Sequence, residues 1–154
     1  MNGIGFDIHK LVKGRDLFLG GVKIPHTKGL LGHSDADVLL HALCDAMLGA
    51  AGLGDIGDHF PDTDPKYKDY RSAKFIEIAL GLIKKQHLKI GNIDTIIFAQ
   101  EPKLYKHKPK IRRFMAKLLK LPLKRVNIKA KTMEGLGPIG GKRAIAAIAL
   151  VSLR

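Results

Sequence analysis

The chain has 154 residues, 45% of them apolar, a mean hydropathy of zero and a formal net charge of +13. That is about one domain with enough apolar matter for a core, which excludes a disordered tail and a disulfide-stapled miniprotein. The single cysteine, Cys44, cannot form an internal bridge, and no apolar run reaches the roughly 18 residues of a membrane span or resembles a signal peptide, so a soluble protein of the reducing cytoplasm is expected.

Asn2 to Ile8 alternates loosely and predicts a short strand. Leu17 to Ile24 carries Gly20-Gly21 between apolar pairs, as a bulged strand or a hairpin does. A strongly apolar run from Asp37 to Ala51 follows Ser34, and Ser34-x-x-Asp37 approximates a capping box with Asp in place of Glu or Gln, predicting a helix over about residues 36–52. Gly52 to Pro65 is dense in Gly, Asp and Pro and predicts a loop, although Asp55, Asp58, Asp62 and Asp64 are more acids than a connector needs. A second helix, about 71–87, puts Phe75, Ile76, Ala79, Leu82 and Ile83 on one face. Strands are predicted at Ile93 to Ala99, Val126 to Thr132 and Ile145 to Leu153, with a helix that is basic outside at Lys108 to Leu119. The fold class is α/β (α+β), one domain over 1–154, with a few strands covered by three helices. The terminal strand has few polar positions to cover an exposed face, so a homo-oligomer is expected.

The charge is local. Between Lys84 and Lys131 there are 15 basic and 2 acidic residues, and the rest of the chain sums to zero. Such a stretch suits a polyanion, by counterion release, and equally the solvated face of a basic helix, which is commoner. With three Tyr and no Trp there are few platforms on which bases stack, and nucleic acid is not the expected partner.

Asp7-Ile8-His9 sets a carboxylate and an imidazole on one face of a strand, because residues two apart share a face. Together with His41 on the first helix they make three ligands with a fourth position open, the pattern of a catalytic zinc. A lone Asp-x-His also occurs by coincidence. Asp37 and Asp45 each lie four residues from His41, and either could take its second N–H as a metal-bound histidine requires. His33-Ser34 before the helix reads as a plain cap or as an anion site. Lys131-Thr132-Met133-Glu134 could hold phosphate oxygens, with Glu134 on a hard divalent cation. Gly135-Leu136-Gly137-Pro138-Ile139-Gly140 fits the G-x-G-x-x-G pattern, but no helix with an acid about 20 residues on follows it, so a dinucleotide fold is rejected.

Gly5-Phe6-Asp7-Ile8-His9, Gly29-Leu30-Leu31-Gly32-His33-Ser34-Asp35-Ala36-Asp37, Leu53-Gly54-Asp55-Ile56-Gly57, Phe60-Pro61-Asp62-Thr63-Asp64-Pro65 and Ala99-Gln100-Glu101-Pro102-Lys103 together resemble the 2-C-methyl-D-erythritol 2,4-cyclodiphosphate synthases of the non-mevalonate isoprenoid pathway. The resemblance runs from residue 3 to the end. It implies that 4-diphosphocytidyl-2-C-methyl-D-erythritol 2-phosphate closes on itself with release of CMP. It implies zinc on Asp7, His9 and His41, magnesium or manganese on Glu134, and transition-state stabilisation by His33 and Thr132. It further implies a methylerythritol phosphate pocket of Ser34, Asp55, Ile56, Gly57, Phe60, Pro61, Asp62, Thr63 and Asp64. The cytidine diphosphate side would be Ala99, Gln100, Glu101, Pro102, Lys103, Leu104 and Tyr105 with Lys131, Thr132, Met133 and Glu134. The implied fold is a four-stranded mixed sheet with helices on one face, three subunits packing their sheets inward around shared active sites. The chain is expected to stand alone, without a fused cytidylyltransferase.

Some positions depart from the family pattern. Pro138 stands where a Phe is usual, Gly141 where an Arg is, and Arg143 where a Glu is, which affects the trimer axis where an isoprenoid diphosphate has been proposed to bind. Lys131 and Met133 replace hydroxyl residues. Two other readings compete: a polyanion-binding module using the basic stretch, and a zinc hydrolase using the same triad with water in the open position.

Overall fold

A strand of 12 residues, β1 (Asn2–Lys13), opens the chain, five residues longer than its alternation predicts. It continues because Leu11 to Lys13 pair with a short strand further on. The computed structural model describes residues 1–154. In chain order there follow β2 (Leu17–Leu19), β3 (Val22–Ile24), β4 (Lys28–Leu30), α1 (Val38–Ala50), α2 (Ile56–His59), α3 (Ser72–Lys85), β5 (Ile90–Phe98), α4 (Lys108–Leu119), β6 (Val126–Lys131), α5 (Gly137–Gly140) and β7 (Ala144–Leu153). The strands order as β4-β1-β7-β5-β6, antiparallel except for β5 and β6. The sheet therefore has five strands rather than four; the extra one, β4, pairs with the end of β1 beyond the reach of β7. β2 and β3 form a separate hairpin turning at Gly20-Gly21.

Helix α1 lies against β1 and β7 on one side and α3 on the other, so nearly its whole circumference is buried. Its two partly open polar positions, His41 and Asp45, are one turn apart. The helix starts on Asp37, not Ser34: the Asp37 carboxylate accepts from the Leu40 N–H and also from the N–H groups of Gly20 and Gly21. A fully buried acid thus ties the hairpin turn to the helix start. Burial and the neighbouring Asp35 charge raise its pKa, against the pull of those three N–H donors.

Along β1 the odd-numbered residues face the helices. Glycines occupy the row where α1 comes closest: a Cβ at Gly3 would lie 2.1 Å from the Ala46 carbonyl oxygen. Ala42, Ala46 and Ala50 supply the matching small face of α1. Beyond Gly3 and Gly5 the same row carries Asp7 and His9 toward the first turns of α1. The even-numbered row, Ile4, Phe6 and Ile8, points the other way and is exposed, with Leu150 of β7 opposite Ile4. No helix covers that apolar face.

Candidate active site and metal centre

The inward row of β1 meets α1 at three side chains. His9 Nε2 lies 2.8 Å from Asp7 Oδ2 and 3.2 Å from His41 Nδ1, and His41 Nδ1 lies 3.2 Å from the same Asp7 oxygen. The edges of a tetrahedron with bonds of about 2.0 Å are roughly 3.3 Å, so the triangle has the size of one face of a zinc site. His9 Nδ1–H donates to the Leu31 carbonyl at 2.8 Å, which leaves the Nε2 lone pair facing the other two ligands. Two imidazole nitrogens and a carboxylate oxygen are a donor set suited to a divalent ion, and they gather as the Asp-x-His spacing predicts.

The same contacts set the charges. Burial alone would raise the Asp7 carboxyl, but the adjoining His41 and His9 imidazoles, 3.2 and 2.8 Å away, outweigh it and hold the group well below the usual carboxylate range. Burial alone would lower His9; the hydrogen bond and charge of Asp7, with the Leu31 carbonyl, outweigh it and raise its pKa.

The expected carboxylate partners of His41 are elsewhere. Asp37 is occupied by backbone N–H groups, and Asp45 accepts from the Ile56 N–H at 3.0 Å, fixing the start of α2. His41 Nε2 instead lies 2.9 Å from Ser72 Oγ and 3.1 Å from Ser34 Oγ. Ser72 in turn donates to Asp35. Ser34 also accepts from the Ala36 N–H, a turn preceding the helix rather than its cap. Nothing in the sequence singled out Ser72, which reads as an ordinary first residue of a helix.

A cavity of about 280 Å³ opens beside the triad, lined among others by His33, Ser34, Asp45, Ile56, Gly57, Phe60 and Asp62. Tyr67 and Phe75, aromatic residues that no motif marks as site residues, form its apolar wall with Phe60. Of the pocket residues implied by resemblance, Asp55, Pro61, Thr63 and Asp64 do not line it. The Asp55 carboxylate accepts from the Asp58 N–H and the Asp58 carboxylate from the Asp55 N–H, a capping box on α2, and Asp64 accepts from the Lys66 N–H in a 3₁₀ turn. The supposed loop is thus partly helical, with Asp55, Asp58 and Asp64 serving as helix caps while Asp62 faces the cavity.

The segments 99–105 and 131–134 lie at the ends of β5 and β6, on the far side of β7 from the triad, and contribute nothing to this cavity. They form a second cluster. Gln100 Oε1 accepts from the N–H groups of Met133 and Gly135, at 3.3 and 3.4 Å, and Thr132 Oγ1 donates to Glu134 at 3.0 Å. Glu101 faces Lys142 at 3.2 Å, His26 at 3.7 Å and Lys28 at 3.8 Å; the Lys142 hydrogen bond leads in lowering its pKa. Leu104 is buried, while Tyr105 and Leu136 stand exposed beside the cluster.

The sequence model of the YgbB family matches residues 1–154. The chain belongs to the YgbB family. It is 59% identical over 143 residues, 93% of this chain and 92% of the other, to the 2-C-methyl-D-erythritol 2,4-cyclodiphosphate synthase of Clostridium perfringens (strain 13 / Type A). It is 56% identical over 151 residues, 98% of this chain and 85% of the other, to that of Agathobacter rectalis. A solved 2C-methyl-D-erythritol-2,4-cyclodiphosphate synthase in its CDP-bound form superposes with a TM-score of 0.93 at 39% identity, over 100% of both chains. In this YgbB-family chain the departures at Pro138 and Gly141 sit in and just after the single turn α5, and Arg143 joins it to β7, its N–H on the Pro138 carbonyl and its own carbonyl accepting from Leu11 N–H.

Proposed function

We propose that this chain is a 2-C-methyl-D-erythritol 2,4-cyclodiphosphate synthase, an enzyme of the non-mevalonate isoprenoid pathway. It closes 4-diphosphocytidyl-2-C-methyl-D-erythritol 2-phosphate into the 2,4-cyclodiphosphate and releases CMP. The observation that carries this reading is the triangle of Asp7, His9 and His41 at the mouth of the cavity, in a chain whose relatives bear that name.

In the reaction a 2-phosphate oxygen forms a bond to the β-phosphorus, the bond from that phosphorus to the bridging oxygen breaks, and its electron pair leaves with CMP. The nucleophile, with a second pKa near 6, is already ionised at neutral pH and needs no strong base. The barrier lies in bringing like charges together in line, so the task is positioning and charge neutralisation. Asp7, His9 and His41 would hold zinc, and Glu134 magnesium or manganese. Bound there, these ions supply Lewis acidity toward phosphate oxygens. His33, exposed at the cavity rim, and Thr132 stabilise the transition state. Ser34, Ile56, Gly57, Phe60 and Asp62 enclose the methylerythritol phosphate, with Asp55, Pro61, Thr63 and Asp64 shaping the segment that carries them. Residues 99–105 and 131–134 hold the cytidine diphosphate, which accords with the CDP-bound form of the solved synthase.

The active unit is a homotrimer of single-domain chains spanning 1–154. Two features support it: the exposed row of Ile4, Phe6, Ile8 and Leu150, and the separation of the 99–105 and 131–134 cluster from the chain's own triad. A neighbouring subunit brings that cluster to the cavity. Several cations of the basic stretch are engaged within the chain, Arg112 on the Val126 and Leu123 carbonyls, Arg125 on the Gly91 carbonyl and Lys129 on Asp94, which favours a solvated structural face over a nucleic-acid surface. The buried thiol of Cys44 accords with the cytoplasm.

The test follows the diphosphocytidyl substrate by ³¹P NMR on metal-loaded protein. Equimolar CMP and cyclic diphosphate, abolished by a chelator, is the expected result. An uncyclised, hydrolysed product, or no CMP at all, would overturn the reading and the first of these would favour a zinc hydrolase.

A further inference from the structure

Helix α3 begins without a side-chain cap of its own. Arg71 precedes it and makes no capping bond, and Ser72, its first residue, is fully buried with its hydroxyl directed away from the helix. Asp35 performs the cap from another segment: its Oδ2 accepts from the Ser72 N–H at 3.1 Å. Its Oδ1 accepts from the Ser72 hydroxyl and from the Asp37 N–H. One carboxylate thus receives three donors.

The direction of this chain of hydrogen bonds is fixed by its end. A carboxylate only accepts, so the Ser72 hydroxyl spends its single proton on Asp35. The Ser72 oxygen then has only lone pairs to offer, and the group it faces, His41 Nε2 at 2.9 Å, must be the donor. Ser34 Oγ, 3.1 Å from the same nitrogen and 3.3 Å from Ser72 Oγ, completes the polar pocket around that N–H. With the proton on Nε2, the Nδ1 lone pair is left free toward Asp7 and His9.

We infer that Ser72, oriented by Asp35, is a positioning residue that keeps the proton of His41 on Nε2 and presents Nδ1 as a metal ligand. The relay does the work a carboxylate does directly in many metal sites, but through an inserted hydroxyl. The inference rests on the metal-centre reading above. It separates Ser72 from a purely structural residue, since a helix-start serine affects stability but not the tautomer of a histidine in another element.

The test uses the full-length protein with ¹⁵N-labelled histidine. At pH 8 and without metal, two-bond ¹H–¹⁵N correlation spectra show which His41 nitrogen carries the proton. Zinc affinity is measured by competition with a chromophoric chelator. In the wild type the proton sits on Nε2. Ser72→Ala shifts it toward Nδ1, where Asp7 accepts it, and lowers zinc affinity about 10–100-fold, with the circular dichroism spectrum unchanged. Asp35→Asn, left with one oxygen for three donors, weakens zinc binding in the same direction, and Ser72→Thr, which keeps the hydroxyl, restores affinity to within about threefold of wild type. Wild-type zinc affinity in Ser72→Ala, or a His41 proton on Nδ1 in the wild type, would overturn the inference. Should Ser72→Ala fail to fold, the wild-type tautomer decides alone. A wild-type protein that binds no zinc would sink the metal-centre reading and this inference with it, whereas zinc binding that ignores Ser72 sinks only the inference.

Discussion

A Cβ on Gly5 would stand 2.1 Å from the carbonyl oxygen of Ala42. Strand and helix approach each other that closely only because the inward row of β1 begins with glycines, and the ligand triangle of 2.8 to 3.2 Å spans the same gap two residues further on. Gly5→Ala must push β1 and α1 apart. The expected cost is about 1–3 kcal/mol or more, as for an overpacked core, with loss of stoichiometric metal because Asp7 and His41 move apart. Gly49 is the control: its Cβ would meet nothing within 4 Å, and Gly49→Ala in the exposed helix face should stabilise by roughly 0.5–1 kcal/mol. Denaturant unfolding and metal analysis of the two variants check this. A Gly5→Ala protein as stable and as metal-loaded as the wild type would contradict it.

His41 is the only member of the triangle that comes from α1, and it closes the triangle on two sides. His41→Ala leaves one imidazole and one carboxylate, too few to hold an ion against water. Loss of the stoichiometric zinc is expected, and CMP release should fall by more than about 100-fold, the rate equivalent of several kcal/mol of lost charge stabilisation. Metal content by atomic absorption and a CMP assay are sufficient; cyclase activity near wild type would refute the assignment of His41.

Much of this centre was legible because two periodicities intersect. Asp7 and His9 share a face by the two-residue repeat of a strand, and a lone histidine in the apolar run Val38 to Ala50 has few places to go but a polar site. The long elements were legible for the same reason. What the sequence hid depends on contacts between distant segments. β4 is three residues whose only strand partner is Leu11 to Lys13, and α2 is one turn set by Asp55 and Asp58. Asp37 and Asp45 had the right spacing from His41, yet backbone N–H groups from the hairpin and from α2 claim them first. Ser72 reaches His41 only because α3 packs on α1, which no local pattern encodes.

The metal-free and metal-loaded forms should respond oppositely to pH. His9 has its pKa raised in the folded protein, so its protonated pair with Asp7 stabilises the metal-free fold fully below pH 6.5 and the contribution fades as pH rises through the raised value. Asp7, lowered, contributes above pH 3.8 and loses that contribution only as pH falls through its depressed value. Lowering pH from 8 to 6 should therefore raise the melting temperature of chelator-treated protein. The same change protonates His9 and must weaken zinc binding, since metal and proton compete for Nε2. Calorimetry in the two states tests the opposite signs, and parallel trends would contradict the His9 assignment.

Cys44 lies on the buried side of α1, and burial, helped by the charge of Asp45, pushes its thiol up to about 12. Almost no thiolate exists at pH 8, and the reagent has no access. Ellman's reagent should label the native protein only as fast as it unfolds, and stoichiometrically in denaturant. Rapid labelling of the native form would contradict the packing of α1.

Phe6 is 58% exposed and Ile4 69%, a surface that three inward-packed subunits would bury. Phe6→Glu sets charges against one another across that interface and should convert a species of three 16.9 kDa chains into monomers by analytical ultracentrifugation. Sharing of active sites is a separate matter, and complementation tests it. On the proposed mechanism His41→Ala removes the zinc ligand and Glu134→Gln the second-cation carboxylate, so each variant alone is expected to be inactive. If each site takes its triad from one subunit and residues 131–134 from the next, random reassembly of an equal mixture leaves about a quarter of the sites with both groups intact. CMP release near that fraction of wild type is the expected outcome. A mixture as inactive as its parents would mean that the cluster around Thr132 and Glu134 serves the triad of its own chain, or none.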